Sequence, residues 1–156
     1  MKVETTLHVN GVAYPVELDP HTSLLRAVRE QIGLTGAKEG CDDSECGACL
    51  MLLDGEPVNS CSYLALQAES AEITTVEGLA KDVGLSPLQQ AFLDHGGVQC
   101  GFCTPGMLIA ATSLLRRNPA PSEEEVRIGI GGNLCRCTGY DGIVKAILAA
   151  AAANSG

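Results

Sequence analysis

The chain has 156 residues, 46% of them hydrophobic and only 3% aromatic, with no Trp and a formal charge of −9. That length holds one ordinary domain or two small ones, with a core built mostly from Leu, Ile, Val and Ala. The acidity excludes a nucleic-acid role, because phosphate contact needs a basic surface, and it reads as a solvated acidic exterior.

Residues 2–9 alternate, with Val3, Thr5, Leu7 and Val9 on one face, which predicts a half-buried strand. Asn10-Gly11 is a hairpin turn signal, and Val12, Tyr14, Val16 and Leu18 alternate on the return. Asp19-Pro20 ends that strand. Thr22 or Ser23 then caps a helix carrying Leu24, Leu25, Val28 and Ile32, stopped by Gly33. Cys41, Cys46 and Cys49 follow in one loop, with Cys61 further on, giving the spacing C-x4-C-x2-C-x11-C. This is the plant-type pattern for one [2Fe–2S] cluster. Two irons need four thiolates, and a loop that wraps them must bring backbone N–H groups close to sulfur. Gly40, Gly47 and Ala48 are small enough to allow it. A zinc knuckle or a set of core cysteines is the alternative, but the fourth Cys stands at a spacing zinc sites seldom use. Leu50–Leu53 reads as a buried strand, Asp54-Gly55 as a turn, and 57–60 and 72–76 as short strands. The pattern is a small α+β domain ending near Gly78, and the stretch 78–84 reads as a linker.

Beyond it the pattern turns helical. Ser86-Pro87-Leu88-Gln89 is a capping box with Pro at the first helical position. Leu88, Ala91 and Phe92 give that helix its apolar side, and Gly96-Gly97 stops it. Thr104-Pro105 repeats the start signal, and Leu108, Ala111, Leu114 and Leu115 form a stripe up to Asn118-Pro119. Ser122 and Glu125 make a third capping box. Val126, Ile128 and Ile130 behind it also suit a strand, but the cap and the acidic first turn favour a helix ending at Gly131-Gly132. A fourth helix spans about 141–153. Residues from about 82 onward therefore predict four helices in a small bundle.

The other four cysteines are Cys100 and Cys103, spaced CxxC, and Cys135 and Cys137, spaced CxC. Each pair stands at the mouth of a helix, where free N–H groups and the dipole favour a negative cluster. Brought together they form one four-thiolate site, for which spacing alone leaves structural zinc open. Residues 1–10 lack the apolar stretch of an export signal, so a reducing, cytoplasmic compartment is expected, where disulfides are disfavoured. The apolar stretch 143–153 is too short to cross a bilayer. Metal is the better use of eight thiols, and two oxidised clusters, each near −2, take the total charge to roughly −13.

The stretches Lys38-Glu39-Gly40-Cys41, Glu45-Cys46-Gly47-Ala48-Cys49 and Val58-Asn59-Ser60-Cys61 resemble the iron–sulfur subunit of the molybdenum hydroxylases, the xanthine oxidase family. So do residues 99–107, from Gln99 through Cys100 and Cys103 to Met107, and residues 132–140, around Cys135 and Cys137. The likeness covers about residues 2–150. It implies an α+β chain: a β-grasp ferredoxin-like domain at 1–78 and an all-α four-helix-bundle domain at 79–156. Each holds one [2Fe–2S] cluster, the first on Cys41, Cys46, Cys49 and Cys61, the second on Cys100, Cys103, Cys135 and Cys137. The resemblance further implies that the helical domain faces the molybdopterin of a large subunit, with Gln99 and Cys137 beside the pterin. The ferredoxin-like domain would face an FAD subunit, in a dimer of heterotrimers. Two departures stand out. Many relatives have Gly where Asp42 and Ser44 stand, and Thr-Val where Leu50-Met51 stand.

No substrate pocket, acid–base pair or activated nucleophile is legible, and His8, His21 and His95 are isolated. The expected role is an electron wire in a multi-subunit oxidoreductase, in which cofactors carry the chemistry and protein sets position and potential. A free-standing ferredoxin-like carrier and a zinc-stapled interaction module are the competing readings.

Overall fold

Strand β1 (Val3–Val9) and strand β2 (Val12–Leu18) pair antiparallel, from Val3 opposite Leu18 to Val9 opposite Val12. Asn10 and Gly11 join them at φ of 54° and 79°, the paired positive values that match a two-residue turn to the twist of its strands. These and all other features come from a computed structural model that describes residues 1–80 and 84–154. Residues 81–83 of the expected linker, and the last two residues, lie outside it.

Helix α1 starts at Leu24–Arg26, where the Ser23 hydroxyl accepts from the Arg26 N–H at 3.3 Å. It continues as a wider, π-helical stretch, Ala27–Ile32, and closes at Gly33 with φ 86°. The sequence predicts an ordinary α-helix there. Leu24, Leu25, Ala27 and Val28 are fully buried. The first two also donate their N–H groups to Tyr63 and Ser60 carbonyls, at 2.7 and 3.0 Å. The helix thus clamps the chain on both sides of Cys61.

Strands β3 (Leu50–Leu53), β4 (Glu56–Asn59) and β5 (Glu72–Thr74) complete a five-stranded mixed sheet in the order β2-β1-β5-β3-β4. Strand β5 is parallel to β1 and antiparallel to β3. It stops earlier than predicted because Asn10 claims the next residue. The Asn10 amide accepts from the Thr75 N–H and donates to the Thr75 hydroxyl, both at 2.9 Å. A short 3-10 turn, Val76–Leu79, follows.

The second half contains α2 (Pro87–Asp94), α3 (Thr104–Arg117), α4 (Glu123–Gly129) and α5 (Asp141–Asn154). Reciprocal capping boxes form at Ser86/Gln89 and Ser122/Glu125, each cap worth about 1 kcal/mol. Val126 and Ile130 are buried while Ile128 is 72% exposed, which is helical spacing. Thr104 departs from its predicted role. Cys103 takes the N-cap position of α3 without a side-chain cap, and the Thr104 hydroxyl is buried without a partner.

Two hydrophobic cores result. One gathers Leu7, Leu24, Leu25, Met51 and Ile73 between sheet and α1. The other gathers Phe92, Met107, Val126, Ile143 and Ile147 among the four helices, with Leu50, Val76 and Leu79 reaching in from the first half.

Candidate metal centres

All eight cysteines are free thiols. In the first loop the backbone enters the left-handed region at Asp42 (φ 60°), Ser44 (φ 67°) and Gly47 (φ 72°). Asp42 and Ser44 each cost about 1–2 kcal/mol in that conformation. Arg26 partly offsets the cost at Asp42 through an exposed ion pair of 3.4 Å.

The thiols come together in pairs. Cys41 is a neighbour of Cys46, and Cys49 of Cys61, close enough for each to act on the other's thiol. In the second half Cys100 faces Cys137 and Cys103 faces Cys135. Among the described residues no three His, Cys, Asp or Glu side chains converge on a single ion. A structural zinc needs four donors around one point, whereas a two-iron core takes its four thiolates two per iron. Pairs of thiols fit the second.

Hydrogen bonds and burial set the sulfurs apart. Burial pushes the Cys49 thiol up to about 11. Cys103 is pushed up to about 12, by burial and then by the neighbouring Cys135 thiol. Burial also acts to raise Cys61 and Cys135, but donors reverse it: the Ser62 hydroxyl and Ser44 backbone at Cys61, and the Thr138 hydroxyl and N–H at Cys135. Thr138 Oγ1 stands 2.9 Å from Cys135 Sγ, and the Thr138 N–H donates to it at 3.4 Å. The Tyr140 hydroxyl accepts the Cys135 N–H at 2.8 Å and closes that loop. In the first loop the Cys46 N–H donates to Cys41 Sγ at 3.4 Å. Each half therefore has one thiol held below its ordinary value, Cys61 or Cys135, and two raised above it, Cys46 and Cys49 in the first half and Cys103 and Cys137 in the second.

The two loops touch. The Leu134 N–H donates to the Cys46 carbonyl at 2.9 Å, and the Asn133 amide donates to the Gly47 carbonyl at 3.1 Å. A Cβ on Gly47 would stand 2.5 Å from the Gly132 carbonyl oxygen, and one on Gly106 would collide with the Gly47 carbonyl oxygen. One hydrogen bond thus joins Cys46 to the residue preceding Cys135. Ser44, Ser62, Gly106, Asn133 and Thr138 are site residues that spacing did not reveal. The sequence traces of this joint are Gly47, read above as a site of close backbone approach, and Gly131-Gly132, read as a helix stop.

Asn133 is 4% exposed, and its amide alone spans to Gly47. Asn133→Ala removes that bond and costs about 1–2 kcal/mol, and Asn133→Asp costs more because it sets a carboxylate against a carbonyl oxygen. Denaturant midpoints measure both. An Asp variant as stable as the parent contradicts the joint.

The outer face is uneven. Cys100, Cys137 and Gln99 are exposed, and beside them Phe102 is 47% and Leu134 58% exposed. Cys49 and Cys61 are buried. No helix among the described residues is long and apolar enough to cross a membrane.

Such a pairing of thiols on two joined lobes defines an iron–sulfur protein. Residues 7–80 match the 2Fe-2S iron-sulfur cluster binding domain, and residues 75–148 match the [2Fe-2S] binding domain. The chain is 49% identical to the nicotinate dehydrogenase small FeS subunit of Eubacterium barkeri, covering 94% of this chain and 93% of that one. It is 48% identical to the xanthine dehydrogenase iron-sulfur-binding subunit of Escherichia coli, covering 90% and 89%. Quinoline 2-oxidoreductase from Pseudomonas putida 86 superposes with a TM-score of 0.95 at 47% identity, over 99% of this chain and 96% of that one. The chain belongs to the small iron–sulfur, electron-transfer subunits of the molybdenum hydroxylases, the xanthine oxidase family.

Proposed function

We propose that Cys41, Cys46, Cys49 and Cys61 hold one [2Fe–2S] cluster and Cys100, Cys103, Cys135 and Cys137 the other. When bound, each cluster supplies a one-electron carrier. The chain's own groups do the rest: thiolates anchor, Thr138 and backbone N–H groups donate to sulfur, and the Leu134–Cys46 bond holds the two loops at a fixed spacing. That bond is the observation that carries the reading, since an electron wire needs rigid, closely coupled centres. The two cores support the division into domains 1–78 and 79–156, and four helices around the second core support a four-helix bundle.

The direction is the one the family likeness implies, and exposure supports it. Gln99, Cys100 and Cys137 lie on the open face with Phe102 and Leu134, an apolar rim fitted to a large molybdopterin-bearing subunit. Gln99 and Cys137 are the residues next to the pterin. The loop around Cys41 and Cys46 serves as the exit towards an FAD subunit. The assembly is a dimer of heterotrimers in the cytoplasm, where a reducing environment keeps eight thiols available for metal. Electrons leave the molybdopterin centre and pass one at a time to FAD.

Anaerobically purified protein is expected to contain about four iron and four acid-labile sulfide per chain. Zinc at both sites would overturn the reading. Native mass spectrometry of the co-expressed subunits separates it from a free-standing carrier, because only the carrier would stay alone under gentle conditions.

A further inference from the structure

Ser44 occupies a left-handed conformation, φ 67°, that a residue with a side chain adopts only at a cost. Such strain persists where surrounding structure over-determines it, and it clusters at functional positions. Here it sets the Ser44 hydroxyl against Ser62, an exposed neighbour of Cys61. Ser44 Oγ donates to Ser62 Oγ at 2.6 Å, and Ser62 Oγ stands 3.6 Å from Cys61 Sγ. Ser44 Oγ itself is 4.0 Å from the same sulfur. The Asn59 amide holds the strained turn by donating to the Ser44 carbonyl at 3.3 Å. A metal-bound thiolate carries no proton, so the polarity of the chain is fixed: Ser44 donates to Ser62, and Ser62 donates to Cys61.

We propose that Ser44 and Ser62 form a two-hydroxyl relay onto Cys61 that raises the reduction potential of the first cluster. The inference rests on the reading that Cys61 is a ligand of that cluster. On reduction the cluster takes one electron from the preceding carrier. No bond breaks, and both hydroxyl protons stay on serine. The added negative charge spreads onto the thiolate sulfurs, and a donor at sulfur stabilises the reduced form more than the oxidised one. Ser44 strengthens the effect by polarising the Ser62 hydroxyl, as hydrogen bonds in series do. Ser44 and Ser62 are positioning residues, and neither is itself a ligand.

The test is a redox titration of the full chain followed by electron paramagnetic resonance, with the first cluster's signal assigned as the one missing from Cys49→Ala. In Ser62→Ala the first cluster's reduced-to-oxidised ratio at fixed potential is expected to fall about tenfold, equivalent to about 59 mV for one electron. Ser44→Gly relieves the strain, removes the outer hydroxyl of the relay and lowers the ratio in the same direction. The double variant falls no further than Ser62→Ala, because Ser44 acts through Ser62. Ser62→Thr keeps a hydroxyl and restores the parent value. The second cluster is the internal control and does not move. Parent-like titration of the first cluster in both single variants overturns the proposal, as does an equal shift of both clusters. If Ser62→Ala fails to hold iron, Ser44→Gly decides, since glycine suits that backbone. A parent protein without the first cluster's signal would instead sink the ligand assignment.

Discussion

In the assembled complex, Cys49→Ala leaves substrate able to reduce molybdenum and the cluster at Cys100–Cys137, while flavin reduction falls to the background of a metal-free control. The matching variant, Cys103→Ala, stops electrons at molybdenum. Both expectations follow from the proposed order of the two centres. Cys100 and Cys137 are exposed, whereas Cys49 is buried in the sheet lobe. Rapid-freeze spectroscopy of each variant reads which centre reduces first. The comparison is confined to variants that still assemble, because metal binding and folding are coupled in such sites. Loss of second-cluster reduction in Cys49→Ala, with flavin reduction retained in Cys103→Ala, would reverse the direction of the wire.

Gly106→Ala is expected to destabilise the chain by about 2 kcal/mol or more, although it lies in a helix. Two effects compete. Alanine is favoured over glycine inside a helix by about 1 kcal/mol. Overpacking costs roughly 1–3 kcal/mol and sometimes more, and the upper end applies here because the added carbon collides with the Gly47 carbonyl oxygen. A backbone oxygen in a loop held by Asn133 and Leu134 cannot swing aside as a flexible side chain would. The substitution therefore pries the two lobes apart. Denaturant unfolding gives the loss, and faster hydrogen exchange at the Leu134 amide locates it. A Gly106→Ala protein as stable as the parent would remove the close approach from the account.

Features written in local sequence were legible, and features made by distant contact were not. Asn10-Gly11, the Ser86 and Ser122 capping boxes and the Gly33 stop carry their geometry within four residues, so the hairpin and three helix boundaries could be read directly. The cysteine spacing was equally local, but it left zinc open at the second set; the two-by-two facing of the thiols is visible only in three dimensions. Thr104 misled because Thr-Pro looks like Ser-Pro, while at that helix mouth Cys103 occupies the cap and turns its sulfur towards Cys135. The end of β5 was overrun because the Thr75 backbone and hydroxyl are claimed by Asn10, 65 residues away. Nothing in the local sequence at Asp42 or Ser44 announced the left-handed backbone that the loop adopts there. Gly106 and Asn133 leave no periodic trace.

The Asn133–Gly47 bond spans 86 positions, which has a consequence for biosynthesis. A ribosome adds ~5–20 residues per second, so the partner of the Gly47 carbonyl is made between about 4 and 17 s after that carbonyl. From the addition of Cys61 until that of Asn133 the sheet lobe has its hairpin, helix and first four thiols, but the side later covered by Asn133 and Leu134 is bare. Iron and sulfide delivered in that window meet the loop from a direction that the finished protein closes.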